Sequence, residues 1–185
     1  MSTHVRLDDA LRTSGLLTPA ELERVGARRE GRFVLEVGEE ALEWRMPRAA
    51  WTLSRASLDE LLLRRAMDAG AIAMTGVGVR AVEYEEARVR VVLANGEERT
   101  ARIVVHADGT GRLDPAGAVA HRRGVVGHKC HLRAAIDGLR MRSAPGAYIG
   151  AVGVERGLAT CALVARSEVV RAWRGDLDAM IEALW

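Results

Sequence analysis

The chain has 185 residues, 49% apolar and 28% charged, with a formal net charge of +2. This length is enough for one domain with a proper core, and the composition is that of a water-soluble globular protein. The nearly balanced charge, with no run or face of basic residues, argues against nucleic acid as a partner, and one Phe and two Tyr offer few platforms for stacking bases. No apolar run reaches membrane-spanning length, so no membrane span is expected. The N-terminus lacks the apolar segment of a signal peptide. Cys130 and Cys161 are too few for a disulfide framework and suit a reducing compartment, so the expected location is cytoplasmic. Arg greatly outnumbers Lys, and Ala, Val and Gly are abundant; this reads as genomic bias.

Residues 5–13 carry a short helical pattern through Leu7, Ala10 and Leu11. Thr18-Pro19-Ala20-Glu21 predicts a helix start, with Thr18 as cap, Pro19 at the first turn and Glu21 closing a capping box; Gly26 then ends the helix. Phe33, Leu35 and Val37 alternate, as do Leu42, Trp44 and Met46 beyond Gly38-Glu39-Glu40, which predicts a hairpin with one buried face. A short strand over 51–54 leads into a helix from Ser57 to Ala69, with Ser57 and Glu60 as its capping box and Leu58, Leu61, Leu62, Ala66 and Ala69 as its apolar stripe. Ala71-Ile72-Ala73-Met74 reads as a short buried strand. Residues 79–84, 88–93 and 99–105 read as a meander whose second turn, Asn95-Gly96, is the strongest hairpin signal in the chain. Residues 110–124 have no period and read as a loop. Three strands are expected within 125–135, 147–154 and 158–165. A short helix is expected from Ser167, and an amphipathic one through Leu177, Met180, Ile181 and Leu184, capped by Asp176.

Two stretches go beyond local structure. One is Arg55-Ala56-Ser57-Leu58-Asp59-Glu60-Leu61, with Ala66 and Gly70-Ala71 following. The other is Ile103-Val104-Val105-His106-Ala107-Asp108-Gly109, an apolar strand pattern ending in an acid and a glycine. Together, over about residues 51–166, they resemble the FAD-dependent oxidoreductases of the p-hydroxybenzoate hydroxylase-like superfamily, which includes aromatic hydroxylases, flavin halogenases and geranylgeranyl reductase-like enzymes. The resemblance implies an α/β (α+β) fold. It would combine an incomplete FAD/NAD(P)-binding Rossmann-like domain carrying a β-meander, over 1–124, with part of a mainly antiparallel substrate-domain sheet, over 125–185. The 58–69 helix would pack on a sheet containing residues 72–74 and 103–106.

The resemblance implies FAD as cofactor and admits NAD(P)H. Arg55 would reach the phosphate or ribose side of the flavin cofactor, where a permanently charged, bidentate guanidinium suits a phosphate. Asp108 and Gly109 would lie near the pyrophosphate, where a residue without Cβ allows close approach. The family's serine and arginine beyond the glycine are Arg112 and Pro115 here. His128 and Cys130 would line the substrate cavity. Tyr148, in Ala144-Pro145-Gly146-Ala147-Tyr148-Ile149-Gly150, resembles the pocket-wall strand of the reductase-like members, whose tryptophan two residues after the tyrosine is Gly150 in this chain. Strand alternation sets His128 and Cys130 on one face and His131 on the other, against a shared zinc site, and no metal is expected. Catalytic residues cannot be assigned, and flavin chemistry does not require protein nucleophiles.

Residues 1–40 contain no Gly-x-Gly-x-x-Gly turn following a strand, which is where such enzymes hold the pyrophosphate. The expectation is a central piece of an FAD-dependent hydroxylase or reductase of a hydrophobic small molecule, inactive by itself and self-associating through an exposed sheet edge. The alternative is a non-catalytic small-molecule-binding module derived from the same fold.

Overall fold

The computed structural model describes residues 15–107 and 124–185. Asp108, Gly109, His121 and the helical pattern at 5–13 lie outside the described residues. Contacts divide the chain into two compact units, one built from the part up to Gly70 together with Gly124–Trp185, the other from the part that begins at Ala71 and ends at Arg123. The fold is mixed α/β, with a six-stranded mixed sheet in the first unit and a separate three-stranded antiparallel sheet in the second.

The first unit starts with α1 (Pro19–Arg24), whose Thr18–Glu21 capping box forms as the sequence predicts. The hairpin β1 (Arg28–Val37) and β2 (Glu40–Thr52) follows, joined through Gly38 in a left-handed conformation with φ 61°. Next come α2 (Arg55–Asp68), β6 (Val125–Arg133), β7 (Leu139–Ala144), β8 (Ala147–Gly153) and β9 (Leu158–Arg166), then α3 (Ser167–Ala172) and α4 (Leu177–Leu184). The sheet order is β2-β1-β7-β8-β9-β6. Only β1 and β7 run parallel, in register from Phe33 opposite Leu139 to Val37 opposite Ser143; every other neighbouring pair is antiparallel. The 33–46 hairpin therefore extends the same sheet as the 125–166 strands.

One face of this sheet is buried. Ile149, Ala151, Cys161 and Leu163 point into a core closed by Met180 and Ile181 of α4. Asp176 caps α4 by accepting from Ala179 N at 2.9 Å, as expected. The far end of α4 is satisfied from another element: the Arg142 guanidinium donates to the carbonyls of Leu184 and Trp185, at 3.1 and 2.9 Å. Glu36 steadies Arg142 and Arg140, and hydrogen bonds from these two guanidiniums, Arg140 first, hold its carboxyl below the ordinary carboxylate range.

The α2 cap differs from the expectation. The helix begins at Arg55, so its cap is Ser54, which accepts from Ser57 N at 3.2 Å, and Ser57 is the third helical residue. The stripe is buried only at its start. Leu58, 6% exposed, packs with Leu17 and Leu22, and Leu61 and Leu62 flank them half-buried, whereas Ala66 and Ala69 are exposed.

Gly138, at the entry to β7, has φ 76°, and a Cβ there would lie 2.9 Å from Arg32 O. Gly138→Ala should combine left-handed strain with a backbone clash and lower stability by about 2 kcal/mol. Gly157→Ala, at φ 69° with open space around it, should cost about half as much. Urea unfolding of the two variants checks this, and equal losses would remove the clash from the account.

The second unit is the meander β3 (Val79–Tyr84), β4 (Val89–Leu93) and β5 (Glu98–Ala101), with Val89, Val92 and Leu93 buried. The Asn95-Gly96 hairpin forms, but Gly96 alone has positive φ, at 88°. Leu93 closes it by accepting from Gly96 N at 3.0 Å and donating to Glu97 O at 2.8 Å, so it is a bulged three-residue loop in place of a two-residue turn. The third strand stops at Ala101. Residues 71–74 and 103–105 are not strands, and Ile72, Ile103 and Val105 are 94%, 80% and 82% exposed. The expected sheet of 72–74 with 103–106 is thus absent among the described residues. Such parallel strands need hydrogen-bonded neighbours and covered faces, and neither stretch has them here.

Candidate functional site

Among the described residues, the side of the six-stranded sheet facing away from α4 is partly to fully exposed, except at Val152, which is 6% exposed. Its register aligns side chains in rows across every strand. One row runs Leu42, Leu35, Met141, Gly150, Ala162, Lys129. A second runs Trp44, Phe33, Leu139, Val152, Thr160, His131. In a third, Val37, Ser143, Tyr148 and Val164 are successive neighbours. Large apolar groups concentrate at the β2–β1 end: Val37, Leu42 and Trp44 are 53%, 60% and 45% exposed, and the Phe33 and Trp44 rings stack with centroids 4.5 Å apart. Contiguous exposed apolar surface of this kind is typical of interaction and ligand-binding surfaces.

The three substrate-side candidates do not share this face. Tyr148 lies on it, 44% exposed. His128 and Cys130 are on the reverse, as alternation along β6 requires, with His131 opposite them. His128 Nε2 is 3.1 Å from Asp178 Oδ1 on α4, and Cys130 packs against the core directly across from Cys161. Burial raises the Cys130 thiol pKa, and the Asp178 charge adds to it; burial also pushes Cys161 up to about 11. Both are core thiols. His128 and Cys130 therefore lie on the opposite face of the sheet from Tyr148, with the sheet itself between them. No group of three or more His, Cys, Asp and Glu able to hold a metal ion occurs among the described residues.

On the cofactor side, Arg55 opens α2 with its side chain 73% exposed, its Nε donating to Asp59 Oδ1 at 2.7 Å. A surface pair one helical turn apart is weak, so the guanidinium can exchange this partner for a phosphate. The helix N-terminus beside it is already occupied. Glu155, between β8 and β9 and only 4% exposed, accepts from Ser54 N at 2.8 Å, from Ser57 Oγ at 2.6 Å and from Ser54 Oγ. Burial works to raise the Glu155 pKa, but the two hydroxyls and the amide outweigh it and hold the carboxyl below its ordinary value. Of the features a flavin nucleotide would use, Arg55 fits a phosphate as an exposed side chain, while the N-terminus of α2 is closed to one.

Sequence reading missed Glu155, because its partners lie about a hundred residues away. It also missed that the Phe33–Trp44 stack sits on an open face; alternation shows which residues share a face but not which face is covered. No helix among the described residues is long and apolar enough to cross a membrane.

No known family's sequence pattern matches the chain, and no curated protein does. Solved structures do. A flavoprotein/dehydrogenase from Cytophaga hutchinsonii superposes with a TM-score of 0.74 at 17% identity, covering 92% of this chain and 47% of that one. PqsL, a probable FAD-dependent monooxygenase from Pseudomonas aeruginosa, gives 0.64 at 20% identity, covering 89% and 50%. The halogenase PltM, in complex with phloroglucinol and FAD, gives 0.67 at 12% identity, covering 86% and 40%. The fold is thus that of the FAD-dependent flavoproteins. More particularly, it is the p-hydroxybenzoate hydroxylase-like fold that monooxygenases and halogenases share, and the chain spans about half the length of these structures.

Proposed function

We propose that this chain is the substrate-sheet portion of an FAD-dependent oxidoreductase, a hydroxylase or reductase of a hydrophobic small molecule. The observation that carries this reading is the open apolar face of the six-stranded sheet, bearing Tyr148, Phe33 and Trp44, within a fold shared with FAD-dependent enzymes. On this reading Tyr148 and the β1–β2 aromatics form the wall that orients substrate. Arg55, with Asp108 and Gly109, serves the phosphate side of the cofactor. His128 and Cys130 support the wall from behind through the α4 core. FAD, when bound, supplies the redox chemistry; these residues bind, orient and exclude water from the apolar side.

The chain by itself should hold FAD weakly, because most affinity in this fold comes from a glycine turn and helix N-terminus that residues 1–40 do not encode. The purified chain is mixed with FAD, desalted and read in the flavin absorbance band, before and after fusion to the Gly-x-Gly-x-x-Gly βαβ unit of a structurally similar flavoprotein. The expected result is negligible flavin before fusion and retained flavin after it. Stoichiometric flavin before fusion would show that the cofactor site has been misplaced. A fused protein that stays colourless would favour the non-catalytic binding module, the reading to which the closed N-terminus of α2 points.

A further inference from the structure

The side of α2 away from Arg55 carries a second place where charge collects. At ~100° per residue, Ser57, Leu61 and Arg64 lie ~180–240° around the helix from Arg55. There a cleft of about 420 Å3 opens between α2, the end of α1 and the turn that joins β8 to β9. Gly26 lets the last two meet: it has φ 86°, and a Cβ on it would lie 3.2 Å from Glu155 Cβ.

Arg24, Arg64 and Arg156 line the cleft, one from each of these elements, and Val25 and Leu61 give it an apolar wall. Its two carboxylates already have partners. Glu155 takes the Ser54 amide and the Ser54 and Ser57 hydroxyls, and Glu60 takes Arg64. The Arg64–Glu60 pair is an exposed one a helical turn apart, weak enough for Arg64 to exchange it. Arg24 and Arg156 make no hydrogen bond or ion pair among the described residues. Glu21, whose charge Arg24 feels, is held by Thr18 and Arg65.

Arg156 is also in an unusual conformation. Its φ is 57° and its ψ 27°, left-handed like Gly157 after it. Glycine would take this conformation freely, whereas the arginine Cβ makes it costly. Among the described residues, Arg174 is the one other non-glycine with positive φ. Strained positions of this kind cluster at ligand clamps. Guanidiniums from three elements around one cleft suit a tetrahedral dianion, because each offers paired N–H donors and a permanent charge.

We propose that this cleft binds a phosphate monoester dianion, its phosphate on Arg24, Arg64 and Arg156 and its organic body along Val25 and Leu61. The site lies across α2 from the side assigned to the cofactor, and stands whether or not the chain serves flavin chemistry.

The probe is phenyl phosphate, followed by its 31P resonance as the purified chain is added at fixed ionic strength. About pH 7.5 keeps the ester dianionic. The resonance should shift saturably, with one site per chain. Phenyl sulfate, a monoanion of similar shape, should compete about tenfold less well. Inorganic phosphate, without the apolar body, should also displace the ester weakly. Arg156→Gly should weaken phenyl phosphate about tenfold while the melting temperature stays at or above that of wild type, because glycine accepts the same φ. Arg24→Gln and Arg64→Gln should each weaken it about five- to tenfold. Arg174→Gly, at the other left-handed arginine, should leave it unchanged. Unaltered affinity in Arg156→Gly, or an equal loss in Arg174→Gly, would mean diffuse attraction to an arginine-rich surface and overturn the site. A loss in Arg55→Gln with none in Arg64→Gln would move the phosphate to the cofactor side and overturn it as well. Equal affinity for phenyl phosphate and inorganic phosphate would overturn the organic body and identify free phosphate as the ligand. No saturable binding would overturn the site outright, and flavin retention by the fused protein would be unaffected by that result.

Discussion

Ile149→Asp is expected to unfold the six-stranded unit, while Tyr148→Asp, one residue earlier on the same strand, leaves it folded. Ile149 is fully buried between the sheet and the Met180–Ile181 side of α4, whereas Tyr148 is 44% exposed on the open face. An aspartate at 149 would forfeit about 2 kcal/mol of apolar burial and bury a carboxylate without a partner. The total of about 4–5 kcal/mol or more approaches the whole stability of a small domain. At 148 the carboxylate would face water, and the cost should stay below about 1 kcal/mol. Thermal unfolding followed by far-ultraviolet circular dichroism distinguishes the two. Similar melting of both variants would mean that α4 does not cover the face assigned to it.

The second large effect is expected at Glu155. Its carboxylate takes the Ser54 amide and the Ser54 and Ser57 hydroxyls at the start of α2, in a site 4% exposed. The positive end of the helix dipole favours an anion at that place. Glu155→Ala should strand these donors and lower stability by about 2–3 kcal/mol. Glu155→Gln should recover little, because its NH2 group would face donors. The pH dependence has a definite sign. The Glu155 pKa is lowered in the folded state, so its contribution is fully present above the ordinary value of 4.5 and is lost as pH falls from there through the folded pKa. Wild type should therefore lose stability more steeply than Glu155→Ala on acidification below about pH 5. Parallel pH profiles for the two proteins would show that the folded carboxylate gains nothing from its charge.

Glu155 also joins α2, which carries Arg55, to the β8–β9 connection, and β8 carries Tyr148. On the proposed reading, one buried carboxylate then fixes a cofactor-side helix against the substrate-side sheet. Loss of Glu155 should consequently loosen Arg55 as well as lower the melting temperature.

The sequence alone determined much of the local structure, because the signals lie within a few residues of one another. Thr18-Pro19-Ala20-Glu21 carries a complete capping box, Asp176 caps α4, and the alternation of Phe33, Leu35 and Val37 marks a strand with two unlike faces. The Arg55 and Asp108-Gly109 stretches were enough to suggest the flavoprotein fold. Tertiary structure decided the rest, because it depends on partners far apart in sequence. The apolar runs at 71–74 and 103–105 have the composition of strands, yet no strand pairs with them among the described residues, and they are irregular and exposed. Ser54 displaces Ser57 as the α2 cap because a carboxylate from position 155 completes the hydrogen bonding there. The parallel pairing of β1 with β7 places the Phe33–Trp44 stack and Lys129 on the same side of one sheet. Alternation assigns side chains to faces; only the packing of α4 determines that Cys130 packs against a core, with His128 beside the exposed Asp178 at its rim, while Tyr148 and Lys129 are exposed on the other face.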